Sequence, residues 1–154
     1  DELDPRIKSL NYLTQILARQ EANVAGADEA ILLNRLGRVA EGTADNVFIV
    51  KNGQLQTPPT SEGALDGITR NAIIELATRH GIPVSESLLA PYDLYTADEC
   101  FLTGTGAELI PVAMIDGREL GDKRPVYETL SAAFSRFVQP GQDSANFPAD
   151  QGSQ

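Results

Sequence analysis

Apolar and polar positions first alternate at helical spacing. Leu13, Ile16 and Leu17 recur at i, i+3 and i+4, with Gln15, Arg19 and Gln20 on the opposite side, and Gly26 stops the pattern. This predicts a helix with its apolar stripe turned to the core. The period then shortens. Ala30 to Leu33, Arg38 to Ala40 and Val47 to Val50 read as three strands in meander style, with Asn34 to Gly37 turning the first pair. Asn52-Gly53 is a two-residue hairpin signal of type I′, because both positions tolerate positive φ. Leu55 begins the return strand, and Pro58-Pro59 ends it, since proline has no N–H for the ladder.

Helical spacing returns after Gly67-Ile68-Thr69-Arg70. Ile73, Leu76, Ala77 and His80 form one stripe, and Gly81 marks the end. Pro83 to Leu89 alternates as a strand, Tyr92 to Ala97 reads as a short helical turn, and Glu99 to Thr103 is a strand running into Gly104-Thr105-Gly106. Leu109 to Ile115 carries Pro111 and is therefore an edge or bulged strand. Asp116-Gly117 is a turn. Pro125 opens a last helix with Val126, Leu130, Ala133, Phe134 and Phe137 facing in. The order of elements predicts a mixed α/β or α+β domain over residues 1–138, with a largely antiparallel sheet flanked by helices. Residues 139–154 are rich in Gly, Gln, Ser, Asn and Pro and are expected to form a disordered tail.

Composition narrows the function classes. The 154 residues suit one domain with a real core, and 42% hydrophobic and 22% charged residues are globular values. A formal net charge of -10, with the basic residues scattered, argues against nucleic acid. The apolar runs are too short for a membrane span, and the acidic, polar start shows no signal peptide. A start without Met suggests a fragment. Cys100 is the single cysteine, so an internal disulfide is excluded and a cytoplasmic location is expected. One histidine, His80, and no cysteine pair give zinc no support. In the last turn of its helix, His80 serves that helix end.

The candidate chemistry centres on Glu41 to Val50, EGTADNVFIV. A carboxylate held just before an apolar strand sits at the rim of a core and needs a positive or protonated partner there. Lys8, just ahead of the first helix, is the candidate nucleophilic amine. Two stretches suit an anion. Gly67-Ile68-Thr69 opens a helix with free N–H groups and a hydroxyl, and Thr103-Gly104-Thr105-Gly106 follows a strand as a glycine-rich turn. GxxxxGK[ST] and GxGxxG are both missing, which disfavours nucleotide hydrolysis and a dinucleotide fold. An amine, a carboxylate and two phosphate-type turns together match pyridoxal phosphate, which presents an aldehyde, a ring nitrogen and a phosphate.

IKSLNYL around Lys8, EGTADNVFIV from Glu41, LDGITR from Leu65 and FLTGTGAELIPV from Phe101 resemble, in that order, the class IV (fold type IV) pyridoxal-phosphate aminotransferases. Within that family they are most similar to the branched-chain amino acid enzymes, from about Asp4 to Val138. The resemblance implies transamination between a branched-chain L-amino acid and 2-oxoglutarate, and a homodimer or higher homo-oligomer. Lys8 then matches the lysine that holds the cofactor as a Schiff base and shuttles the substrate proton. Tyr12 matches the tyrosine on the phenolic oxygen, and Glu41 the acid on the ring nitrogen. Gly67, Ile68, Thr69, Gly104 and Thr105 match the phosphate site. The N–H groups of Thr105 and Gly106 match the α-carboxylate site, where Gly106 replaces a frequent alanine.

The departure is at the front: family members carry a smaller domain before the lysine, which implies that this chain is the large, cofactor-binding domain. The family's dimers hold their sites near the interface, so an exposed apolar face on this chain is a further expectation. D-amino acid aminotransferases and aminodeoxychorismate lyases share the fold and are the alternatives, although Tyr12 leans against the first. A domain that binds the cofactor without catalysis is the alternative of another class.

Overall fold

The computed structural model describes residues 12–104, 106 and 108–139. Lys8, Thr105 and the tail beyond residue 139 lie outside these described residues. The elements run α1 (Tyr12–Val24), β1 (Ile31–Leu33), β2 (Val39–Gly42), β3 (Asn46–Lys51), β4 (Gln54–Thr57), α2 (Ile68–Arg79) and β5 (Val84–Glu86). They continue with α3 (Pro91–Tyr95), β6 (Glu99–Thr103), β7 (Leu109–Pro111), β8 (Met114–Ile115), β9 (Arg118–Glu119) and α4 (Pro125–Val138).

Five strands form one sheet in the order β5-β4-β3-β6-β7. All its pairings are antiparallel except β4 with β5, so the sheet is mixed and largely antiparallel as the sequence suggests. The strands β1 and β2 make a separate two-stranded ribbon, as do β8 and β9. Asn52 and Gly53 both have positive φ, 50° and 74°, which is the type I′ hairpin expected between β3 and β4.

The central strands β3 and β6 are buried along nearly their whole length because both faces of the sheet are covered. Alternate residues feed two cores. Phe48, Val50, Leu55 and Phe101 face α2 and α4 and meet Ile73, Ala77, Leu130 and Phe134. Phe48 and Phe101 stack with centroids 5.2 Å apart and planes 6° from parallel. Val47, Ile49, Cys100 and Leu102 face the other way, against Val39, Leu89, Leu94 and Leu120. The Glu99 carboxylate, itself buried, accepts the N–H groups of Val126 (3.1 Å) and Tyr127 (2.8 Å) and so fixes the start of α4 on β6.

Five expectations need correction. Glu41 lies within β2 and not in the approach to β3, because the pairing with β1 extends through Gly42. The predicted strand Leu109 to Ile115 is two short strands: the bonding of β7 to β6 closes with the Val112 N–H on the Cys100 carbonyl at 2.9 Å, and β8 pairs with β9 instead. The stripe Leu13, Ile16, Leu17 does not enter the core: these side chains are 68%, 42% and 51% exposed, and Ala22 is the buried residue of α1. The inward face carries Gln15, Ala18 and Ala22, while the exposed Arg19 pairs with Glu29 at 2.9 Å. Phe137 stacks on Phe134 but is itself 59% exposed. Finally, His80 leaves the apolar stripe and caps α2, its Nδ1–H donating to the Leu76 carbonyl at 2.8 Å. No helix among the described residues is long and apolar enough to cross a membrane.

Candidate active site

Glu41 is the charged centre of the site. It is buried to 8% exposure on β2, opposite Leu32 of β1. Among the described residues, two donors reach its carboxylate: the Leu65 N–H at 2.8 Å and the Gln15 side-chain amide at 3.2 Å. Burial pushes its pKa above the ordinary carboxylate value, and these two hydrogen bonds offset part of the rise. No cation among the described residues contributes to holding it ionised. A buried acid with neutral donors only is a receptor for a protonated nitrogen.

Gln15 also ties α1 to this acid. Tyr12 opens the same helix, three residues earlier and on a neighbouring face, and is 65% exposed. The helix that carries Tyr12 is thereby anchored to the strand that carries Glu41.

The second half of the site is the first turn of α2. Gly67 precedes it in an extended conformation (φ -76°, ψ 140°) and, being glycine, supplies no side-chain cap. Ile68 is 91% exposed, so it offers its backbone and not its side chain to anything bound here. Thr69 donates its hydroxyl to the Gly104 carbonyl at 3.4 Å. That bond joins the two phosphate-type turns of the sequence, which are separated by 35 residues along the chain. Gly106 lies in the exposed turn that follows.

The glycines are needed for close approach. A Cβ on Gly67 would run into Asn46 Oδ1, and one on Gly104 would run into the Asp45 carboxylate. Around Gly106 a Cβ would meet nothing within 4 Å. At the end of β6, Thr103 is buried with its hydroxyl unpartnered, beside Asn46 in the β3–β6 register. An orphaned buried hydroxyl next to an uncapped helix start fits a polar group at this position.

Among the described residues, the site is therefore an acid without a cation, a helix start without a side-chain cap, and a glycine turn bonded to that helix. These residues fit a cofactor with a protonated ring nitrogen and a phosphate. Sequence reasoning singled out Glu41, Gly67, Thr69 and Gly104, which the fold brings together. It missed Gln15, which the helical pattern placed on the solvent side, and Leu65, whose contribution is backbone. It assigned no role to Asn46, and it read Thr103 only as the start of the glycine-rich turn.

The family model for Amino-transferase class IV matches residues 1–115. The chain belongs to the class IV aminotransferases. Its relatives include a branched-chain-amino-acid aminotransferase of Pseudomonas aeruginosa, 46% identical over 129 residues, which cover 82% of this chain and 42% of the relative. Among solved class IV structures, the branched-chain amino acid aminotransferase of Thermobaculum terrenum in its PLP form superposes with a TM-score of 0.84 at 42% identity, covering 89% of this chain and 46% of that one. The T.th. branched-chain amino acid aminotransferase complexed with N-(5'-phosphopyridoxyl)-L-glutamate gives 0.78 at 41% identity, covering 82% and 43%. The fold is thus that of the fold type IV aminotransferases. The chain spans less than half the length of the relatives it matches.

Proposed function

We propose that this chain is the cofactor-binding part, residues 1–138, of a pyridoxal-phosphate aminotransferase that exchanges an amino group between branched-chain L-amino acids and 2-oxoglutarate. The observation that carries the reading is Glu41: a buried acid, short of a cation among the described residues, fixed by Leu65 to the segment that opens α2. The names of the class IV relatives support the substrate class, and a glutamate adduct of the cofactor in one of them supports the second substrate.

When bound, pyridoxal phosphate supplies an electron sink for the bond broken at the substrate Cα. The residues of the chain do the rest. Glu41 keeps the ring nitrogen protonated, because that proton satisfies a carboxylate that burial otherwise penalises. Tyr12 donates to the phenolic oxygen. Gly67, Ile68 and Thr69 hold the phosphate through N–H groups and one hydroxyl, joined by Gly104 and Thr105. Lys8 holds the cofactor and carries the proton at Cα. The N–H groups of Thr105 and Gly106 orient the substrate carboxylate. A homodimer or higher homo-oligomer in the cytoplasm completes the proposal, and the exposed apolar side of α1 is consistent with an assembled state.

The test is an amino-transfer assay on the protein loaded with pyridoxal phosphate. Glutamate formation from 2-oxoglutarate with leucine, isoleucine or valine, and none with D-alanine, is the expected result. Turnover of D-alanine, or of aminodeoxychorismate alone, would replace the branched-chain reading with one of its fold relatives.

A further inference from the structure

We infer that Asn46 is a positioning residue, which sets the distance between the acid that takes the ring nitrogen and the helix start that takes the phosphate. The inference rests on the cofactor reading above. Its basis is a three-residue clamp. Asn46 is buried at the start of β3, and its side-chain amide donates to the Leu65 carbonyl at 2.8 Å. The N–H of that same Leu65 donates to Glu41 at 2.8 Å. Leu65 is therefore gripped from both sides of its own backbone, by a residue of β2 and a residue of β3.

Two residues further on is Gly67, whose Cα lies flush against Asn46 Oδ1, leaving no room for a Cβ. Gly67 in turn accepts the Asn71 N–H at 3.0 Å, the first bond of α2. A single side chain thus fixes both the segment that reaches Glu41 and the residue from which the helix starts. Asparagine suits this place because one side chain carries a donor for the carbonyl and a flat oxygen edge for the glycine. An aspartate would set a second carboxylate against the Leu65 carbonyl, and a serine could not span both.

A cofactor with two separated recognition points binds well only when both receptors are held at its own spacing. Loss of the Asn46 side chain leaves the bond from Leu65 to Glu41 and the helix start in place but no longer fixes the distance between them. The two halves of the cofactor would each still find a receptor, while the whole molecule would lose the advantage of binding both at once.

The experiment compares wild type, Asn46→Ala and Asn46→Ser in titrations with pyridoxal phosphate, with pyridoxal and with inorganic phosphate, alongside thermal melts. Both variants are expected to bind pyridoxal phosphate about tenfold more weakly, as for a lost buried hydrogen bond. Pyridoxal alone and phosphate alone should stay within about threefold of wild type on the same reasoning. Unchanged affinity for pyridoxal phosphate in either folded variant overturns the inference. Equal weakening of all three ligands, tracking the loss in Tm, also overturns it, since that marks general loosening. If wild type itself binds none of the three, the cofactor reading falls first, an outcome distinct from a selective failure of the variants.

Discussion

Thr69 donates its hydroxyl to the carbonyl of Gly104 at 3.4 Å, which ties the first turn of α2 to the end of β6. Removing that hydroxyl while keeping its shape isolates its contribution. Thr69→Val should weaken pyridoxal phosphate about three- to tenfold, the range of one net hydrogen bond, with little change in Tm. A titration followed by cofactor absorbance measures it, and wild-type affinity in the variant would remove Thr69 from the phosphate site.

The two described glycines of the second turn should behave oppositely. Gly104→Ala places a methyl into the Asp45 carboxylate and should cost about 1–3 kcal/mol in denaturant unfolding. Gly106→Ala meets open space and should stay within about 0.5 kcal/mol of wild type. Equal costs at both positions would contradict the local geometry.

Glu41 gives a pH signature in the cofactor-free chain. Its folded pKa is raised above the unfolded value, so the folded state holds the proton more tightly, and stability falls as pH rises from the ordinary value of 4.5 through the folded one. Glu41→Gln removes this penalty. The Tm of the variant relative to wild type should therefore rise between acid and neutral pH in the absence of cofactor, while its affinity for pyridoxal phosphate drops. A variant less stable than wild type at neutral pH, without cofactor, would show that the buried charge is already compensated.

Cys100 is buried on β6, and burial pushes its thiol up to about 12. The native protein should leave it unmodified by a thiol reagent at neutral pH for as long as the fold holds, and denaturation should release one reactive thiol per chain. Rapid native labelling would mean that β6 opens.

Much of this was legible in the sequence because the strongest local signals coincide with the sheet. Asn52-Gly53 specifies its hairpin by φ alone, and the apolar runs of β3 and β6 can be satisfied only where both faces are covered. The acid and the two glycine turns were visible as residue types. Their juxtaposition was not, since Thr69 and Gly104 meet only through tertiary packing, and Leu65 acts through backbone atoms that any residue has. Periodicity misled at α1. The stripe of Leu13, Ile16 and Leu17 has helical spacing, but spacing cannot say which side turns toward the strands, and the hydrogen bond from Gln15 to Glu41 decides it the other way.

The most direct test of the account is to treat the protein with pyridoxal phosphate, reduce it with borohydride and map the labelled lysine by mass spectrometry. The chain offers Lys8, Lys51 and Lys123. The account predicts label on Lys8 alone, and none in the Lys8→Ala variant. Label on Lys51 or Lys123, or label that survives Lys8→Ala, would contradict it.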